Sequence, residues 1–206
     1  MKGLNGLELA ELRHRLFGNF QLLQALIAIR LRGVKDPESR RHLNWLTDVV
    51  AALALINRRL AAGDSSDFSA YLIETISFWR RVCAGREIGF VFEASPVILP
   101  DRFASSLALI AHELIANSVE HAFPDARPGR ISVTLAEHYG VLELIVADNG
   151  AGRSLDTRED SEGLGLVQGL TEHLGGTFEA AVSNGVSITV RVPLGGSRLK
   201  AKPRAH

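Results

Sequence analysis

One cysteine, Cys83, is all this chain has, so it cannot close an internal disulfide or build a cysteine zinc site. Its neighbours Phe78, Trp79 and Val82 point to a buried structural thiol. No apolar run approaches the roughly 18 residues of a membrane span, and the opening Met1-Lys2-Gly3-Leu4 has no signal-peptide core. Neither sign of charge prevails: Lys+Arg and Asp+Glu both number 23, which gives no basic field for nucleic acid and no acidic tail. There are no internal repeats. What is present is ordinary for a folded chain, 46% hydrophobic and 22% charged over 206 residues. A soluble cytoplasmic protein with one full domain and a smaller element is expected, with no nucleic-acid or membrane partner.

The smaller element comes first. Residues 5–32 read as a helix, with Leu9, Leu12, Leu16, Phe20, Leu23, Ile27 and Leu31 recurring at steps of three and four. Gly33 ends it, and Asp36-Pro37-Glu38 starts another helix over about 38–62, carrying Leu43, Leu46, Val50, Leu53, Ile56 and Leu60. Two such helices make a hairpin with too little core of its own. Pairing with a second copy into a four-helix bundle is the preferred expectation, docking onto the rest of the chain the alternative. The domains are then 1–64 for the hairpin, 65–194 for the main domain and 195–206 for a flexible tail.

The main domain reads as α+β, a two-layer sandwich. Asp67 caps a helix over 68–84, a strand spans 88–92, an extended piece 97–99, and Asp101 opens a helix to about 122. Alternation at 131–135, 178–182 and 186–192 marks strands of an antiparallel sheet with one covered face, and Asn184-Gly185 marks a hairpin turn. The more uniformly apolar Val141–Ala147 belongs centrally, and helices at 68–84, 101–122 and 164–174 cover the sheet.

Chemistry concentrates in three places. Glu113 and Asn117 are four residues apart on one helix, so they share a face, with His121 a turn further on. An amide oxygen at Asn117 suits Mg²⁺ beside phosphates, and the Glu113 carboxylate suits a base or the orienting of a metal-bound water. His121 is a pocket residue or part of the core. Asp148 ends a strand, where its carboxylate can receive an adenine amine. Gly150 and Gly152 free the backbone to turn sharply and approach a ligand. Arg153–Ser161 is charged and apolar-poor, as a flap would be. Gly163-Leu164-Gly165 opens a helix whose free N–H groups can meet phosphates.

Together these blocks resemble the N, G1 and G2 boxes of the GHKL (Bergerat-type) ATP-binding domain of histidine kinases, DNA gyrase and MutL, over roughly residues 68–193. The resemblance implies ATP and Mg²⁺ as cofactors, Asn117 as the metal ligand and Asp148 as the adenine reader. Upstream, Glu11-Leu12-Arg13-His14-Arg15-Leu16-Phe17-Gly18-Asn19-Phe20-Gln21 resembles the phosphoacceptor helix of histidine kinases of the H-R-x-x-N (HWE) subfamily. It departs from that pattern where Phe17-Gly18 replaces the usual Lys-Asn. His14 is about 200° from Leu12 and Leu16 around the helix, so it faces outward. The expected function is a two-component sensor histidine kinase core without a sensor domain. It autophosphorylates His14 from ATP and passes the group to a response-regulator receiver domain, with an upstream sensor protein as input and a homodimer as assembly. The alternatives are a phosphotransfer protein or phosphatase with a vestigial kinase domain, and an anti-sigma-factor serine kinase.

Overall fold

The computed structural model describes residues 6–62, 67–99, 101–152 and 161–195, with side chains described from residue 19 onward except at 60–62, 101–102, 126 and 161–162. Residues 63–66, all of the flap expected at 153–161 but its last residue, and the tail beyond 195 lie outside the described residues. α1 runs Gly6–Gly33 and α2 Pro37–Ala62. Between them the Asp36 carboxylate accepts the Ser39 N–H at 2.8 Å, the expected N-cap. α3 (Phe68–Val82) starts on Asp67, whose carboxylate accepts the Ser69 and Ala70 N–H groups. β1 (Ile88–Ala94), α4 (Asp101–His121), β2 (Gly129–His138), β3 (Val141–Asp148), α5 (Ser161–His173), β4 (Thr177–Ser183) and β5 (Gly185–Pro193) follow. No helix among the described residues is long and apolar enough to cross a membrane.

The strand order is β1-β2-β3-β5-β4, so Val141–Asp148 is central as expected. Two expectations for the sheet need correction. It is mixed, because β1 pairs with β2 in parallel, the chain returning through α4. And β4 shows no alternation of buried and wet faces: Phe178 is half-buried, while Ala180 and Val182 are exposed. β4 is the edge strand, and the helical layer does not reach over its length.

α4 is the pivot of the molecule. Leu107, Ala108, Ile110, Ala111, Leu114 and Ile115 are at most 1% exposed, because the sheet lies on one side and α2 and α3 on the other. Each such Leu or Ile contributes about 1.5–3 kcal/mol by burial. Arg86 closes its C-terminal end by donating to the carbonyls of Val119 and Phe123. Cys83 is buried, as expected.

The hairpin docks on this domain through α2, which packs against α1 on one side and α4 and α3 on the other. That double duty explains why Val50, Ala52, Ala54 and Ile56 are all buried while Leu46 of the expected stripe is exposed. Among the described side chains of α1 the half-buried ones are Phe20, Gln24, Ile27 and Leu31. Leu23, expected among them, is 45% exposed, and Leu22, Leu26 and Ile29 are exposed as well. Apolar residues occur on both faces of α1, so their period alone does not say which face meets α2.

Candidate nucleotide site

Asp148 reaches its position because β3 ends there, against the C-terminal half of α4. Its Oδ1 accepts the Gly150 N–H at 2.9 Å and the Val186 N–H at 3.2 Å. Its Oδ2 accepts the Ser118 hydroxyl at 3.2 Å. One oxygen is thus occupied by backbone, and the other retains lone-pair capacity toward the pocket. Around it Leu114, Asn117, His121, Ala122, Val146, Gly152, Leu164, Val186 and Ile188 enclose about 520 Å³, counting the open space at the mouth.

The sequence-derived residues are brought together unequally. Asn117, His121, Asp148, Gly152 and Leu164 line the pocket. Glu113 sits beside it on the same face of α4, and Gly163 closes against both: a Cβ there would lie 2.9 Å from Glu113 Oε2 and 3.5 Å from the Asn117 amide atoms. The glycine lets the first turn of α5 approach the helix carrying Glu113 and Asn117. Gly152 has φ +63, a turn that favours glycine. Gly150 does something other than approach a ligand: its Cβ would meet the Ala122 carbonyl oxygen at 2.2 Å, so it makes room for the end of α4. Gly165 faces open space and is off the pocket lining. His14 is carried on α1, but its side chain lies outside the described residues.

Two atoms show that polar work remains to be done here. Glu113 Oε1 and Asn117 Nδ2 are buried without a hydrogen-bond partner among the described residues. Burial pushes the Glu113 carboxyl up; the hydrogen bond from Trp45 opposes this, and the Asp48 and Glu120 charges add to it. A carboxyl raised this way is a better proton acceptor than an exposed one. The unpaired Asn117 amide N–H₂ fits a phosphate oxygen, while its amide oxygen is of the kind that holds Mg²⁺, so the residues present suit a magnesium–phosphate group.

Four participants escaped the sequence reading. Ser118 and the Val186 backbone fix Asp148, and neither residue type signals that role alone. Trp45 donates its indole N–H to Glu113 Oε2 at 2.9 Å across 68 residues. His112 is buried next to Trp79, ring centroids 5.5 Å apart, with Nε2 unpartnered among the described residues.

Burial pulls the His112 imidazole down to about 4 from 6.5. The unfolded chain therefore takes up the proton first as pH falls, so this contribution is complete above 6.5 and is lost between 6.5 and 4. The shift corresponds to about 3 kcal/mol at most. His112→Gln is expected to lose about 2–3 kcal/mol less stability than the unaltered protein between roughly pH 7 and pH 4.5. Urea unfolding at each pH measures this, and equal losses would assign the acid sensitivity to other groups.

A mixed five-stranded sheet backed by α4 and α5, with an acid, an asparagine and a helix end around one pocket, defines a nucleotide-binding domain of the GHKL type. Residues 84–191 match the family described as histidine kinase-like ATPase domain, and residues 11–79 that described as histidine kinase. The chain belongs to the histidine kinase family, with both segments of the kinase core. The sensor histidine kinase PdtaS of Mycobacterium tuberculosis is 28% identical over 200 residues, covering 90% of this chain and 39% of the relative. Blue-light-activated histidine kinase 1 of Erythrobacter litoralis is 26% identical over 174 residues, covering 82% and 48%. The chain thus spans less than half the length of either relative. The histidine kinase domain of a blue-light activated histidine kinase from Erythrobacter litoralis has the same fold, with TM-score 0.67 at 20% identity over 86% of this chain and 94% of that one.

Proposed function

We propose that the chain is an ATP-dependent histidine kinase core that places the γ-phosphoryl group of ATP on His14, and that a receiver-domain aspartate then takes it. The observation that carries this reading is the convergence of Asp148, Asn117 and Leu164 of α5 on one pocket, with Gly163 set against Asn117 beside it. Asp148 Oδ2 receives the adenine amine, with Leu114, Val146, Leu164 and Ile188 flanking the base. Asn117 holds Mg²⁺ through its amide oxygen, and the first-turn N–H groups of α5 meet the phosphates. The cation, when bound, balances phosphate charge. A ring nitrogen of His14 forms the new N–P bond, the bond to the bridging oxygen breaks, ADP leaves, and Glu113 accepts the imidazole proton. The protein's contribution is positioning and charge stabilisation.

In this reading residues 1–64 are the dimerisation and phosphotransfer hairpin, 65–194 the ATP-binding domain and 195–206 a tail. The exposed Leu22, Leu26 and Ile29 of α1 support pairing with a second copy. An upstream sensor protein supplies the input. Incubation with γ-labelled ATP is expected to label the unaltered protein and not His14→Ala, and the label is lost in acid as phosphohistidine is. Equal labelling of both removes His14 from the mechanism, and an acid-stable product indicates a serine kinase.

A further inference from the structure

The N–H of Trp45 joins the hairpin to Glu113, the carboxylate assigned above as base. Beside that contact the seam carries like charges. Asp48, one turn along α2 from Trp45, is half-buried and faces the charges of Glu113 and Glu120 on α4. Like charges across a partly desolvated seam repel, and the indole N–H opposes that repulsion at Glu113. The far end of α2 is fastened separately, by Arg58 and Arg59 to Glu74 of α3.

The position of the acceptor gives this contact a consequence. α1 ends at Gly33 and α2 begins at Pro37, so the antiparallel hairpin puts His14 level with about Ile56. That is some three turns, roughly 16 Å along the axis, from Trp45. A second copy related by an axis along the bundle would carry its own acceptor at the same level. In the hairpin as docked through Trp45, the backbone of α1 at position 14 is thus displaced along the bundle from the level at which α2 meets Glu113.

We propose that Trp45 is a positioning residue that clasps Glu113 in a resting, hairpin-docked state, and that transfer requires the clasp to open so that His14 takes the place of the indole. The proposal rests on the kinase reading above. It makes Asp48 the opposing element, a charge that favours release.

Trp45→Phe keeps the ring and removes the donor. At saturating ATP its autophosphorylation rate is expected to rise on the order of fivefold, the factor one net hydrogen bond supplies, with KM for ATP unchanged. Asp48→Asn removes the repulsion and keeps the indole, so the rate falls. Without nucleotide, the Trp45 indole proton is expected to exchange slowly with solvent in an NMR measurement, and quickly in Glu113→Ala. The second tryptophan, Trp79, serves as internal reference. Labelling of the unaltered protein with an unchanged or slower Trp45→Phe overturns the clasp alone. Absence of label on the unaltered protein overturns the kinase reading, and the transfer role of Trp45 with it. An unprotected indole overturns the clasp in either case.

Discussion

Asp148→Asn is expected to weaken ATP binding by roughly 30- to 150-fold, the ~2–3 kcal/mol of a hydrogen bond to a charged acceptor, while leaving the fold intact. The substitution keeps size and shape. Its amide oxygen can still accept the Gly150 and Val186 N–H groups that now meet Oδ1. The amide nitrogen must then take the place of Oδ2, which accepts from Ser118 and faces the pocket. An amine of adenine and an amide N–H are both donors, so the contact turns from attraction to two unsatisfied groups. Titration calorimetry with ATP, and with a purine nucleotide lacking the exocyclic amine, checks it. The amine-free nucleotide should bind both proteins weakly and nearly equally. Unchanged ATP affinity in Asp148→Asn would mean that the base is read elsewhere.

The parts of this site legible in the sequence were those set by local spacing. Glu113, Asn117 and His121 share a face because a helix repeats every 3.6 residues, and Asp148 ends a strand whose apolar run is plain. What could not be read depends on which surfaces meet. Trp45 was one apolar residue among many on α2, and only the docking of the hairpin brings its nitrogen to Glu113. His112 had no distinguishing neighbours in sequence, although packing against Trp79 makes it a buried neutral imidazole. Gly150 was read by its type as clearing space for a ligand, whereas the space it clears holds the Ala122 carbonyl. β4 alternates in sequence as a covered strand does, yet its place at the sheet edge leaves it largely exposed. Periodicity describes one element's own faces, and it carries no information about which neighbour covers them.

Gly185→Ala should destabilise the protein strongly for a single added methyl. Gly185 has φ +122, a region closed to side chains, and a Cβ there would stand 1.9 Å from the Asp148 carbonyl oxygen and 2.9 Å from Asn149 Cα. Both obstacles are backbone, and Asp148 and Asn149 are held in turn by Val186 and Arg130, so neither can step aside cheaply. Strain and overpacking together are expected to cost about 3–5 kcal/mol. In a domain of this size that lowers Tm by roughly 6–20 °C. Gly169→Ala on α5 is the contrast: nothing lies within 4 Å of its Cβ, and the helix interior prefers alanine by about 0.5–1 kcal/mol, so Tm should rise slightly. The first substitution also reaches the pocket, because β5 begins at Gly185 and the next residue's N–H holds Asp148 Oδ1. Folded Gly185→Ala at low temperature should therefore bind ATP worse than the unaltered protein. If its Tm and ATP affinity both stayed unchanged, the close approach of the start of β5 to Asp148, on which the adenine end of the site is built, would be wrong.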